Sequence, residues 1–233
     1  MSSLSLSNSH EQRLEERSVA NAHGQIVSDR TYNMVLGLTV LWGLGINAIM
    51  CATMGDFAMS MNPIAFTIFY LVCCIAGLVI AHKSDNPLVS FVGYNMVVIP
   101  LGLELACLVA AVGGINTDIV MYAFVDTLLI TGIMVIASLA FPNFFAKIGG
   151  LLFAGLIGVL IVSLITMLIG GSGVWISVIC AVLFSLYIGF DYWRSQQYAK
   201  TIDNAVDSAI DIYMDIALLF IHLVQIFASN NRD

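Results

Sequence analysis

The segment Ile210–Phe227 reads IDIYMDIALLFIHLVQIF. It is long enough to cross the hydrocarbon core of a bilayer as a helix, yet it contains Asp211, Asp215, His222 and Gln225. Side chains this polar are costly against lipid, so a spanning helix that carries them has to be wrapped by other helices. The segment therefore predicts a helical membrane bundle in which the remaining helices surround this one.

Six further apolar segments supply the helices for such a bundle. Each is long enough to span a membrane: Tyr32–Met54, Pro63–Ile80, Leu88–Val112, Ile119–Phe141, Ile148–Ile169 and Val174–Phe190. Composition agrees, because 60% of the 233 residues are hydrophobic and only 10% are charged, whereas soluble domains are about a quarter charged. We expect an all-α integral membrane protein with seven transmembrane helices. A re-entrant seventh segment, which does not cross fully, is the alternative.

Basic residues indicate the orientation of the bundle. Lys and Arg precede the first span and follow spans two, four and six, whereas the alternate connections contain neither: Arg13, Arg17, Arg30, Lys83, Lys147, Arg194 and Lys200. Because basic connections stay in the cytoplasm, the N-terminus is predicted to be cytoplasmic. The small size and bare N-terminus of the chain favour a bacterial plasma membrane.

The chain divides into one domain and two tails. Residues 1–31 are polar and Ser-rich, and we expect them to form a disordered cytoplasmic tail. Residues 32–228 form the single seven-helix membrane domain, and residues 229–233 form a short C-terminal tail. The expected partners are the lipid bilayer, Ca²⁺ or H⁺, and other membrane proteins. The net charge of −7 argues against a nucleic-acid partner.

Five carboxylates lie within or at the edge of the predicted spans: Glu104, Asp126, Asp191, Asp211 and Asp215. The nearest basic residue is Arg194, three positions after Asp191, where the two can pair on one helix surface. A buried carboxylate without a basic partner either holds a proton or binds a cation. These acids therefore predict an ion or proton pathway.

Topology brings Asp191 and Asp215 together. Span six runs toward the cytoplasm and ends at Asp191, and the seventh segment returns from that side, with Asp215 about 8 Å beyond Ile210 along the helix. Two carboxylates at one site titrate as a coupled pair, and oxygen ligands of this kind suit Ca²⁺. Both residues are thus candidate Ca²⁺ ligands at a shared, proton-sensitive site. The alternative is that Asp191 is a helix-end residue paired with Arg194.

A ladder of acids precedes the pair. Asp203, Asp207, Asp211 and Asp215 step by four along one predicted helix, where like charges repel. We interpret Asp203 and Asp207 as the water-facing side of an interfacial helix, and Asp211 as an accessory candidate at the site.

Other accessory candidates lie deeper in the spans. His222 follows Asp215 by two turns on the same face, and it either relays protons or is a neutral histidine satisfied by a neighbouring helix. Glu104 and Asp126 either line an aqueous path from the far side or are protonated acids hydrogen-bonded to a neighbouring helix.

No enzymatic motif stands out. The glycines and serine of Gly171–Ser172–Gly173 lie in a short connection, where such residues make turns. An aspartyl intramembrane protease carries a glycine–x–glycine–aspartate signature, and Ile188–Gly189–Phe190–Asp191 has only one of the glycines. We expect no enzymatic activity and no cofactor, with Ca²⁺ or protons as the permeant or regulatory ions.

Three motifs in the C-terminal half together resemble the pattern of one protein family. FSLYIGFD occupies Phe184–Asp191, IYMDIALLF occupies Ile212–Phe220, and FAKIGGLLFAGL occupies Phe145–Leu156. Together with the spacing of Asp191 and Asp215, they resemble the Bax inhibitor-1 family, in a bacterial-type member. The resemblance implies six helices around a central seventh. It also implies a pH-sensitive Ca²⁺ leak that these two aspartates sense and gate.

The chain departs from the family pattern in two places. Ala217 and Leu218 stand where the family commonly has an Asn. Some bacterial relatives have an acid in span two and an Arg near its cytoplasmic end, where this chain offers only His82 and Lys83. If a closed state requires a bridging Arg, Lys83 substitutes poorly, because it lacks the planar fork of a guanidinium.

The leading hypothesis is a pH-sensitive cation leak, for Ca²⁺, gated by the paired aspartates. The alternative is a membrane-embedded stress-regulatory or protease-interacting protein without transport activity, in which the aspartates are structural. A proton-coupled transporter of small solutes ranks third, because no inverted repeat or broken pair of helices is evident.

Overall fold

The computed structural model describes residues 25–169 and 173–230. Seven of its helices are long and apolar enough to cross a membrane: α1 (Asp29–Thr53), α3 (Pro63–Lys83), α4 (Pro87–Ala111), α5 (Asp118–Ala140), α6 (Pro142–Ile169), α7 (Val174–Ser195) and α8 (Ile202–Asn230). A short helix, α2 (Gly55–Ser60), lies between α1 and α3. The predicted all-α fold with seven transmembrane helices is confirmed.

The ends of the membrane domain differ slightly from expectation. Up to residue 24, the expected N-terminal tail lies outside the described residues, as do residues 231–233 of the expected C-terminal tail. Helix α1 begins at Asp29, inside the expected tail, and α8 continues to Asn230. Helix α8 is one continuous helix that is long enough to cross a membrane, as expected of a seventh segment that spans fully.

Local sequence sets where the helices begin and end. Asn62 caps α3 and Asn86 caps α4, each accepting hydrogen bonds from backbone N–H groups of the first turn. Pro63 and Pro87 follow these caps, where a missing N–H costs no helical hydrogen bond. After α4 the chain turns through Gly113, whose φ of +101° is one that residues with a Cβ rarely adopt.

Helix α8 is the centre of the bundle. It packs against α1, α4, α5 and α7 and contacts α3, whereas α6 packs mainly against α7. Most of its residues from Asp203 to Val224 are buried, whereas α6 is largely exposed. The helix with the most acids is therefore shielded by its apolar neighbours, in agreement with the expected arrangement of six helices around a seventh.

Two buried tyrosines connect α8 to α4 and α1. The rings of Tyr94 and Tyr213 meet edge to face, with centroids 5.4 Å apart, and both residues are fully buried. Tyr94 donates a hydrogen bond to the backbone oxygen of Thr39 (2.8 Å), and Asn47 donates one to the hydroxyl of Tyr213. Each buried hydroxyl thus has a partner on α1.

Helices α7 and α8 are longer than expected at one end of the bundle. We call this end, where α1 begins, the N-terminal face, and the other end the opposite face. Helix α7 continues past Phe190 to Ser195, so Asp191 lies inside the helix. Helix α8 begins at Ile202 rather than Ile210. Both extensions place acidic residues within the bundle.

Candidate functional site

Asp191 on α7 and Asp215 on α8 face each other in the interior. Each residue is only 7% exposed, and the two carboxyl groups are close enough for their charges to interact. Two carboxyl groups that interact in this way titrate as a coupled pair. The structure thus brings together the two aspartates that the sequence predicted to meet.

Arg194 joins this pair to a third acid. Its Nη2 lies 2.8 Å from Oδ1 of Asp191, the expected pairing along α7. The same nitrogen donates a hydrogen bond to Oδ2 of Asp211 on α8 at 2.6 Å. The guanidinium carbon also lies 5.4 Å from the ring centroid of Phe190. The guanidinium of Arg194 therefore pairs with acids on both α7 and α8, and Asp211 is part of the site.

Helix α3 contributes a histidine rather than the lysine that the sequence suggested. Nε2 of His82 lies 3.7 Å from Oδ1 of Asp211, while its Nδ1 is 2.9 Å from the backbone oxygen of Leu78. With the Nδ1 proton donated to Leu78, a neutral ring leaves Nε2 without a proton, so the ion pair with Asp211 forms only when the imidazole is protonated. Lys83 is exposed and forms no ion pair with a described residue.

The pair by itself supplies few of the ligands of a resident metal ion. Within residues 25–169 and 173–230, no group of three or more His, Cys, Asp or Glu side chains is arranged to hold a metal, whereas a Ca²⁺ site takes about 6–8 oxygen ligands. Oδ2 of Asp215 is buried and has no hydrogen-bond partner among the described residues. The site therefore offers one unpaired carboxylate oxygen.

The interpretation of Asp203 and Asp207 as a water-facing surface is wrong. Asp203 is 5% exposed and Asp207 is 2% exposed, because α8 starts early enough to carry both between α1 and α4. Ser90 on α4 donates a hydrogen bond to Oδ1 of Asp203 at 2.7 Å. At Asp203, a polar partner on a neighbouring helix thus replaces the water that we expected.

Tyr32 is a further polar residue that sequence reasoning missed. It is fully buried and donates to the backbone oxygen of Ser195 (2.8 Å); its hydroxyl also lies 3.2 Å from Oγ of Ser208. The ammonium of Lys200 sits 4.3 Å from the centroid of its ring, and partial burial lowers the pKa of Lys200. These contacts fasten the α7–α8 connection to α1. A Tyr at the start of an apolar span gave no signal of this role.

His222 lies in a polar cavity toward the opposite face. The ring stacks on Phe184, with centroids 5.7 Å apart and planes within 8°. Its Nδ1 is 3.1 Å from Oε1 of Gln225, which also accepts a hydrogen bond from Ser177 at 2.8 Å. With Ser163 and other residues of α6 and α7, they line a cavity of about 480 Å³. The structure thus places His222 away from the carboxyl pair.

Glu104 and Asp126 are not part of the cluster either. Glu104 is partly buried on α4, beside Tyr70 and Cys74 of α3. Asp126 is partly exposed on α5; the next residue, Thr127, donates to the backbone oxygen of Ala123 (2.7 Å). Neither acid shares a hydrogen bond or ion pair with Asp191 or Asp215.

The sequence of the chain is similar to those of known proteins. Residues 25–232 match the family model described as "Inhibitor of apoptosis-promoting Bax1". The chain belongs to the Bax inhibitor-1 family. The match covers all seven membrane helices and the whole aspartate site, so it confirms the resemblance that the motifs indicated.

Two bacterial relatives of this Bax inhibitor-1 family member share parts of the sequence. An uncharacterized protein of Helicobacter pylori is 36% identical over 103 residues, which cover 43% of this chain and 44% of the relative. An uncharacterized membrane protein of Streptococcus pyogenes is 29% identical over 150 residues, covering 57% and 65%. The chain thus spans from under half to just under two thirds of the relatives it matches. It is an integral, multi-pass membrane protein of the family, embedded in the lipid bilayer.

Proposed function

We propose that this Bax inhibitor-1 family member is a pH-sensitive cation leak, most suited to Ca²⁺, with Asp191 and Asp215 as its gate. The observation that carries the proposal is the buried carboxyl pair, which is joined through Arg194 to Asp211. One guanidinium cannot neutralise three carboxylates, so the cluster becomes more negative whenever the pair loses a proton. Such a site attracts a cation, and the protonation of the pair sets the strength of this attraction.

In this proposal, loss of a proton from the pair opens the gate. Two ionised carboxylates that face each other repel strongly in a medium of low dielectric constant. Arg194 already divides its charge between Asp191 and Asp211, so it neutralises the new charge only in part. The helices α7 and α8 then separate or admit a cation. The leak is therefore expected to rise with pH through the titration of the pair.

Polar groups mark both ends of the route. Toward the N-terminal face lie His82 and Asp211; toward the opposite face lies the cavity that holds His222. Between this cavity and Asp215, α7 and α8 present Phe184 and Leu219, which are 8% and 0% exposed. Apolar constrictions of this kind gate by excluding water, and opening requires α7 to move relative to α8.

The proposed orientation places the N-terminal face in the cytoplasm. Basic residues lie on this face, for example Lys147 in the first two turns of α6 and Lys200 between α7 and α8, as the positive-inside rule requires of the cytoplasmic side. Both relatives come from bacteria, which supports a bacterial plasma membrane. We propose no enzymatic reaction and no cofactor.

Ca²⁺ entry into dye-loaded proteoliposomes tests the existence of the leak. Vesicles with the wild-type chain are compared with empty vesicles and with vesicles that hold Asp118→Asn, which removes an exposed acid remote from the pair. The proposal expects both protein samples to pass Ca²⁺ faster than empty vesicles. Well-folded wild type that passes no more Ca²⁺ than empty vesicles would refute the leak.

A second candidate function is a membrane-embedded regulatory or protease-interacting protein in which the cluster is structural. The tight apolar packing between His222 and Asp215 favours it, because the observed route is closed. Under this function, Asp215→Asn lowers thermal stability in detergent and changes no ion response. Under the leak, the same substitution changes the ion response itself.

A further inference from the structure

A second cavity opens sideways between α1 and α5, in the half of the bundle toward the opposite face. Both helices pack against α8, yet they contact each other little. The gap between them forms a cleft of about 320 Å³ that reaches α4 and α8. Its rim includes Phe124 and Leu128, which are 53% and 50% exposed, whereas Ile216 and Ala217 of its floor are buried.

The cleft presents a hydrocarbon surface. Apart from Asn47, Cys51 and Thr127, it is lined by apolar side chains. Thr127 bonds to its own helix backbone, and Asn47 donates to Tyr213. The Oδ1 of Asn47 is buried without a hydrogen-bond partner among the described residues, and it packs over Gly102, where an added Cβ would lie 2.5 Å away. Water placed here would find this one acceptor, whereas a buried water takes about two to four polar partners.

We propose that this cleft binds one acyl chain of a membrane lipid, from the leaflet nearer the opposite face. The cleft is continuous with the exposed apolar surface of α1 and α5, which faces the lipid of this integral membrane protein. A chain can therefore enter sideways without leaving the bilayer. Its volume and mostly apolar lining are those of a small-ligand pocket. No Lys or Arg of the described residues lines the cleft. The cleft therefore recognises the acyl chain of the lipid rather than a charged headgroup.

Occupancy of the cleft is linked to the carboxyl pair through α8. Ile216 and Ala217 directly follow Asp215, so a bound chain packs against the same turn of the helix. A filled cleft resists displacement of this turn toward α1 and α5. This effect of the bound acyl chain on the gate rests on the proposed leak, whereas binding of the acyl chain does not.

Photo-crosslinking tests the binding. The full-length chain is reconstituted with a phosphatidylcholine that carries a diazirine on one acyl chain, and labelled residues are mapped by mass spectrometry. We expect Phe124 and Leu128 to be labelled at least threefold more than Leu160 and Leu164 on α6, which are 54% and 64% exposed. Equal labelling of both helices would show ordinary lipid contact and overturn the proposal.

A variant that fills the cleft sharpens the test. Ala48→Phe places a ring in the cleft from the α1 side and is expected to lower labelling of Phe124 at least threefold. Its matched control, Ala154→Phe, adds the same ring to an exposed position of α6 and leaves that labelling unchanged. If Ala48→Phe does not fold, Leu128→Trp narrows the opening from the α5 side, with labelling then read at Phe124.

Two outcomes contradict the proposal. Unchanged labelling in a folded, cleft-filling variant shows that the chain lies outside the cleft. Unlabelled rim residues in a protein that runs as a dimer show that a second copy covers the cleft. The crosslinking experiment measures no ion flux, so its result is independent of the leak. Lipid binding can be refuted while the proposed leak stands, and the leak can be refuted while lipid binding stands.

Discussion

Arg194 binds Asp211 at 2.6 Å across the α7–α8 interface, while the same nitrogen lies 2.8 Å from Asp191 on its own helix. The guanidinium is 22% exposed and the two carboxylates less, so water screens the network poorly. It holds the C-terminal end of α7 and the N-terminal part of α8 together at the N-terminal face, close to Asp215. In this protein Arg194 is the residue that bridges the helices, rather than a basic residue of span two.

Removal of Arg194 is expected to destabilise the protein. Arg194→Gln leaves Asp191 and Asp211 without their cation, and breaking a buried ion pair costs about 3 kcal/mol or more. Thermal unfolding in detergent measures the loss. The double variant Arg194→Gln/Asp211→Asn is expected to recover part of it, because one uncompensated charge is gone. A single variant as stable as wild type would contradict the structural role of the network.

His82 is expected to act only in its protonated form. His82→Gln removes the ion pair with Asp211, which requires a protonated imidazole. The pair therefore contributes more to stability at about pH 5.5 than at about pH 8. Unfolding temperatures at the two pH values measure it. Lys83→Gln, one residue away, is the control and is expected to change neither value. An equal loss at both pH values would contradict the ion pair.

Ser90 is expected to stabilise the buried acid at position 203. Ser90→Ala removes the hydrogen bond to Asp203, and the loss of a bond to a buried charged group costs about 1–3 kcal/mol. Thermal unfolding compares it with Ser60→Ala, which removes a hydroxyl from an exposed position. If both variants unfold at the same temperature as wild type, Asp203 does not depend on Ser90.

Two glycines of α1 give a matched test of the core. A Cβ at Gly43 would collide with the hydroxyl oxygen of Tyr94 and lie 2.9 Å from the ring of Tyr213, whereas a Cβ at Gly45 would meet nothing within 4 Å. Gly43→Ala is therefore expected to lower the free energy of unfolding by about 1–3 kcal/mol, as overpacking does. Gly45→Ala is expected to cause no such loss. Unfolding temperatures compare the two. Equal stability would show that α1 packs less closely against the tyrosines.

The sequence was sufficient to predict the helices and the two aspartates that meet. Hydropathy marks a span regardless of its neighbours, and antiparallel connection fixes which ends of α7 and α8 lie side by side. Arg194 and Asp211 illustrate the limit, because they lie on different helices and no helical spacing relates them. The pairing depends on the angle at which α7 and α8 cross.

The error at Asp203 and Asp207 has a related cause. A polar stretch before an apolar one reads as aqueous, because a hydropathy pattern does not contain the partners that other helices supply. Ser90 lies on α4, far from Asp203 along the chain. Only the packing of α4 against α8 shows that a buried carboxylate is satisfied there.

The pH dependence of Ca²⁺ entry tests the central claim most directly. The comparison uses dye-loaded proteoliposomes from about pH 5 to 8 and includes wild type, Asp191→Asn, Asp215→Asn and the control Asp118→Asn. This range is wide enough to follow the titration of a coupled carboxyl pair. The account predicts a leak that rises with pH in wild type and in the control, and a flattened dependence in the two pair variants. The same pH dependence in all four proteins would show that the pair is not the gate.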